Sequence, residues 1–182
     1  MVSSSLKMLS RTQNSLSKLF MEFLEQNCTK TLLEGLEELY INNPEVAASS
    51  KSKGKSFQDH DLTHVIFGCD TSIRGEIILK PWILFGTNIS KQELMDYSKD
   101  EEVKRLRKEG IALMGGLFIA TFKLVFILLP QFFHTWFLRV RKMKDKWPHS
   151  SITDDMLQKR IVDLRNEYGI QVIPPKAKVS VG

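Results

Sequence analysis

Cysteine is scarce in this chain: two residues, Cys28 and Cys69, among 182. They lie far apart and form no C-x-x-C, which excludes a disulfide framework and a thiolate zinc site and suits a reducing compartment. Strand signals are scarcer still, since no alternating stretch longer than "IQVI" (residues 170–173) occurs. No acid precedes Glu22, and "MVSSSLKMLSRTQNSLSKLF" is Ser-rich and carries Lys7, Arg11 and Lys18. That is the composition of an organelle transit peptide, without the apolar core of a secretory signal. The plainer reading is preferred: residues 1–15 as a disordered tail before a helix in which Leu16, Leu19, Phe20, Phe23 and Leu24 recur at helical spacing.

What the chain has is helical periodicity from end to end, at a length that can bury a sizeable core. The expectation is one all-α domain over residues 1–182. Thr29 or Thr31 caps an amphipathic stretch closing at Asn42 and Asn43, and residues 44–58, small and rich in Ser and Lys without periodicity, read as a flexible loop. A short helix then stops at Gly68, Asp70 or Thr71 caps the next, and Pro81 predicts a kink or break in it. "SKQE" (residues 90–93) is a capping box. A closing helix starts at Thr153, with Asp154 and Asp155 where the helix dipole favours acids, and ends at Gly169.

The net charge is +5, and it is unevenly placed. Residues 138–147 hold Arg139, Arg141, Lys142, Lys144 and Lys146 against the single acid Asp145. Such a cluster solvates a helix end or meets an anionic membrane surface; no nucleic-acid motif accompanies it. Just upstream, residues 111–129 form an apolar run of nineteen ended by Pro130, with only Thr121 and Lys123 polar. A transmembrane helix needs about twenty residues. The run therefore reads as a long apolar central helix that either spans a membrane or stays inside the fold, as the centre of a bundle or the wall of a lipid pocket.

One short stretch concentrates chemistry: "HDLTHVIFGCDTSIRGE", from His60 to Glu76. On a helix His60, Asp61 and His64 fall at about 0°, 100° and 40° around the axis. Histidines four apart can reach one metal ion, and Glu76, one turn into the following helix, can face back as a further ligand. The result would be a metal-binding helix-turn-helix. A solvated polar face, or a hydrogen-bonded His-Asp pair at a helix start, explains the same residues without a metal. Asp61 stands where a zincin-type protease has its general-base Glu, which argues against that class. Lys80 lies on the same helix face as Glu76, where it can pair with an acidic ligand or meet a substrate carboxylate. Cys69 reads as packing.

H-D-x-x-H followed by eleven residues and Glu resembles the signature of the coenzyme Q (ubiquinone) biosynthesis protein 4 family. The similarity continues in "GEIILKPW" and returns in "RIVDLRNEYGIQVIPP" (residues 160–175), so that the motifs cover about a fifth of the chain, in order, around the apolar run. The resemblance implies an all-helical protein held at a membrane surface, on the cytoplasmic face in a bacterium or the matrix side of the mitochondrial inner membrane in a eukaryote. It implies a divalent metal ion on His60, Asp61, His64 and Glu76, zinc first, with iron or manganese as alternatives. It also shifts residues 111–129 from spanning helix towards the wall of a polyisoprenoid pocket.

The activity implied is oxidative decarboxylation of a prenylated benzoate-type precursor, with the other quinone-biosynthesis proteins as partners and self-association expected. A second reading is a non-catalytic lipid-binding organiser of those enzymes with a structural metal. Metal-dependent hydrolysis is a weaker third, because no separate general base is evident.

Overall fold

The computed structural model describes residues 21–174 apart from 114, 117, 118, 120, 123–125, 127 and 128, and omits the side chains of 102, 106, 107, 110 and 113. The expected disordered tail at residues 1–15 lies outside the described residues. Among these the fold is mostly helical with no strand, and nine α-helices follow one another.

The first, α1 (Leu32–Asn42), opens on a reciprocal capping box. Thr31 Oγ1 accepts from the Glu34 amide at 3.2 Å, and the Glu34 carboxylate accepts from the Thr31 amide at 2.7 Å. Its buried Leu32, Leu36 and Leu39 pack against α3 (Lys55–Phe67), which contributes Val65, Ile66 and Phe67 to the core.

Between them lies α2 (Pro44–Lys53), where the sequence led us to expect a loop through residue 58. Pro44 sits in its first turn and Lys51 and Lys53 in its last, both positions that suit a helix. An apolar pattern fails to reveal α2 because its anchor is polar. Ser50 is buried and its hydroxyl donates to Asp61 of α3. The chain pivots at Gly54 and α3 begins at Lys55, a turn ahead of the expected short helix.

The next helix, α4 (Ile73–Pro81), gives way to a π-helical turn at Trp82–Gly86. This is the break expected at Pro81, which has no N–H to give the helical ladder. Trp82 is fully buried and stacks on Phe67 at 4.8 Å. The Ser90–Glu93 capping box starts α5 (Lys91–Lys99), and α6 (Glu101–Leu113) follows.

The apolar run is not one helix. Its first residues finish α6, after which Gly115 and Gly116 adopt φ of 101° and 88°, a left-handed geometry that an α-helix cannot contain. No helix among the described residues is long and apolar enough to cross a membrane. The run leads into α7 (Leu129–Leu138), which packs on α4.

The closing helix is also two. Thr153 caps α8 (Asp154–Gln158), and α9 (Ile161–Tyr168) ends at Gly169. Lys159 and Arg160 between them are extended, because Leu32 N–H donates to Lys159 O (3.0 Å) and Ile161 N–H to Lys30 O (2.8 Å). Arg165 of α9 then clamps the fold. Its guanidinium, wholly buried, donates to the carbonyls of Phe23, Glu25, Gln26, Val65 and Ile66.

Candidate metal centre

Two glycines shape the turn that joins the site's helices. Gly68 ends α3 in the left-handed conformation, φ 63°, and the Cys69 amide donates back to the His64 carbonyl at 2.9 Å. Ser72, rather than the expected Asp70 or Thr71, caps α4; its hydroxyl accepts from Gly75 N–H at 3.1 Å, while Asp70 accepts from the Ser72 amide at 3.0 Å. A Cβ on Gly75 would lie 2.0 Å from the Asp70 carbonyl oxygen, so only glycine lets the turn fold in this closely. Glu76 is thereby held in the first turn of α4, facing α3.

The outcome is a cluster of His60, His64 and Glu76 whose ligand atoms all lie within 4.8 Å of one another. His64 Nε2 is 3.1 Å from Glu76 Oε1, and its Nδ1 is 3.2 Å from the Cys69 carbonyl. That carbonyl accepts the Nδ1 proton and aims Nε2 at Glu76, as second partners of metal-binding histidines do. The His60 ring meets His64 edge-on at 5.1 Å and stacks on Tyr97 of α5 at 4.8 Å. Cys69 is buried, with Sγ turned to the Phe67 carbonyl.

Asp61 is not brought into this cluster. One residue's rotation from His60 directs it towards α1 and α2, where its carboxylate accepts from Tyr40 Oη at 3.0 Å and from Ser50. Burial pushes its pKa up, against those two hydrogen bonds.

The three clustered groups divide their charges clearly. Burial pushes His60 down to about 3, helped by the charge of His64, so its imidazole is neutral. Burial also works against a charge on His64, but Glu76, through charge and hydrogen bond, outweighs it and raises the pKa. Burial would raise Glu76 as well; His64 overrides this and holds the carboxyl down to about 2. Without a metal the site therefore sets an ionised carboxylate, which favours protonation of His64, beside a neutral imidazole. Two nitrogens and one carboxylate oxygen are a donor set suited to zinc, iron or manganese.

His60 and Glu76 open onto a cavity of about 430 Å³ between α3, α4 and α5. Ile83, Leu84, Ile89 and Leu94 form its apolar side. Lys80 lines it too, one turn beyond Glu76, and makes no ion pair among the described residues. Tyr97 and His149 share the lining. Neither is legible as a site residue in the sequence. His149 is one of only four histidines, and that rarity is the one signal that could have raised it. Comparison with protein families, with curated proteins and with solved structures finds no match. The resemblance noted above rests on this chain's own residues.

Proposed function

We propose that this chain is a coenzyme Q biosynthesis protein that performs metal-dependent oxidative decarboxylation of a prenylated benzoate ring. One observation supports this most: three metal-ligating side chains gather at the edge of a cavity with one apolar and one polar side. Structural zinc sites are closed by four protein ligands, whereas sites that act on a substrate keep a position open. A divalent ion here would polarise the ring's carboxylate and phenolate oxygens as a Lewis acid.

The chain's own residues supply the rest. His60 and His64 would hold the ion through ring nitrogens, and Glu76 would offset its charge. Lys80 pairs with the carboxylate of the incoming ring. Ile83, Leu84, Ile89 and Leu94 exclude water from the apolar part of the ligand. Replacing a carboxyl by a hydroxyl breaks the ring–carboxyl bond, releases carbon dioxide and forms a carbon–oxygen bond at the same carbon. With water as the oxygen source, two electrons and two protons are released, so a two-electron oxidant is a required co-reactant.

Attachment to a membrane surface is part of the same proposal. Phe133 and Phe137 of α7 are exposed, and the Arg141 guanidinium lies 5.0 Å over Phe137 and 5.6 Å over Trp136. An aromatic face edged by cations suits the interface of an anionic bilayer. The π-helical turn connects this face to the cavity, since Leu84 lines the cavity while Phe85 meets Phe132 and Trp136. A prenyl tail would follow that path, and the other quinone-biosynthesis proteins, or a second copy of this chain, would dock around it.

The exposed aromatic face equally favours the second reading, a lipid-binding organiser with a structural metal. Glu76→Ala separates the two. If the variant folds and keeps prenyl-lipid binding but no longer converts the benzoate precursor, the protein is the enzyme. If it unfolds on losing metal, the structural role gains.

A further inference from the structure

The two imidazoles of the cluster are held in different ways. His64 Nδ1 lies 3.2 Å from the Cys69 carbonyl, whereas among the described residues no hydrogen bond reaches the His60 ring. Other rings hold it instead. His64 meets it edge-on at 5.1 Å, and Tyr97 stacks on it at 4.8 Å with 28° between the planes. Tyr97 also meets Phe57, a turn ahead of His60 on α3, at 5.3 Å.

Tyr97 belongs to a lightly fastened helix. α5 walls the cavity with Glu93, Leu94, Tyr97 and Ser98, yet none of its residues is fully buried, in contrast to α1, α3 and α4. Its ends are tied by partly exposed polar contacts, Glu93 with Ser150 and the C-cap Asp100 with Lys53. Polar ties of this kind add little stability. Segments with few buried apolar contacts open locally before the rest of the fold, and α5 is such a segment. When it opens, Tyr97 leaves the His60 ring.

The direction of a metal-ligating imidazole is set by what holds the rest of its ring. For His64 that partner is a carbonyl fixed by the Gly68 turn. For His60 it is an aromatic face carried on α5. We propose that Tyr97 is a positioning residue of the metal centre: by stacking on His60 it fixes the cluster imidazole that no hydrogen bond orients, so that docking of α5 and binding of a divalent ion reinforce each other. This rests on the metal-centre reading and adds to it a helix outside the cluster. Such coupling is reciprocal: the factor that Tyr97 adds to metal affinity returns as protection of α5. Because α5 is a wall of the cavity, the ion also helps to keep that side shut.

The test measures zinc affinity against a competing chelator, and amide hydrogen exchange, in wild type, Tyr97→Ala and Tyr97→Phe. Tyr97→Ala should weaken zinc binding about three- to tenfold, the worth of an aromatic pair. Tyr97→Phe keeps the stack and should bind as wild type does. In metal-free wild type the α5 amides should exchange faster than those of α3, and zinc should slow them by about the same factor. In Tyr97→Ala that slowing should vanish from α5 and persist in α3, which carries His60 and His64. A tyrosine that serves packing alone would lower the melting temperature and leave the zinc affinity of the folded protein unchanged. That result overturns the assignment, as does an equal loss in Tyr97→Phe or a slowing of α5 that survives in Tyr97→Ala. Two comparisons need only wild type and decide the matter if Tyr97→Ala fails to fold. Zinc that leaves α5 exchange unchanged, or metal-free α5 amides that exchange as slowly as those of α3, also overturns it. These outcomes leave the metal centre standing. Wild type that binds no zinc removes the metal-centre reading, and this inference falls with it.

Discussion

His64 Nε2 and Glu76 Oε1 approach to 3.1 Å, although they belong to different helices. The pair exists because Gly68 reverses the chain and Gly75 lets the turn close, and it occupies the place a metal ion would take. A metal ion bound there would compete with the proton for His64.

Purified protein reconstituted with zinc, iron or manganese should carry about one divalent ion per chain by elemental analysis, and three-ligand sites rarely survive the loss of a ligand. His64→Ala should lose most of it. Asp61→Ala should keep the metal and unfold more easily, by on the order of 1–3 kcal/mol, because it leaves Tyr40 and buried Ser50 without their acceptor. Loss of metal in Asp61→Ala would return Asp61 to the ligand set.

The metal-free protein should be most stable near pH 6.5, the ordinary value of histidine. Above it, His64 governs. Its folded pKa is raised, so its stabilisation is full below 6.5 and is lost as pH rises through the folded value. Below it, His60 governs. Its folded pKa is depressed to about 3, so stability falls from 6.5 towards 3 as the unfolded chain alone takes up the proton. Glu76, depressed from 4.5 to about 2, adds a loss between those values. Thermal melts of the chelated protein across pH check this, and His60→Gln should flatten the acid limb.

Metal affinity should run the other way. Binding displaces the His64 proton, so affinity should fall about tenfold for each pH unit below the raised His64 value. His60, already neutral, adds almost nothing to that slope above pH 4. Zinc titrations against a competing chelator at several pH values measure the slope. A slope of zero would mean His64 is not a ligand.

Arg165→Met should destabilise the fold by at least about 3 kcal/mol, because hydrogen bonds to charged groups are worth about 1.5–3 kcal/mol each and the buried carbonyls would be left unpaired. Denaturant unfolding measures the loss. Arg165→Lys should recover only part of it, since one ammonium cannot match the guanidinium fork.

Vesicles rich in anionic lipid should bind the protein and release it in high salt. Phe133→Asp and Phe137→Asp should each weaken binding without changing zinc content, because both residues lie on α7 and none of His60, His64 and Glu76 does. Co-sedimentation with elemental analysis on the same samples reads both quantities. Unchanged binding in both variants would remove α7 from the membrane surface.

Helix starts were written locally and could be read locally. Thr31, Ser90 and Thr153 accept from amides a few positions on, so a sequence window contains the whole interaction. The Pro81 break is of the same kind. His60 and His64 share a face through helical rotation alone, and Glu76 lies close enough in sequence to be suspected.

What only the tertiary structure decided are features whose partners are distant in the chain. The helix at Pro44–Lys53 has a polar anchor on Asp61, which no apolar pattern records, and the same contact draws Asp61 away from His60, His64 and Glu76. Residues 111–129 looked continuous because hydropathy does not register the backbone torsions of Gly115 and Gly116. The closing helix breaks at Lys159 because Lys30 and Leu32, on the far side of the sequence, capture its backbone. His149 has no motif around it. It reaches the cavity because Trp147 pairs with Gly86 and Asn88 holds its amide, and such cross-chain hydrogen bonds depend on packing that no local window contains.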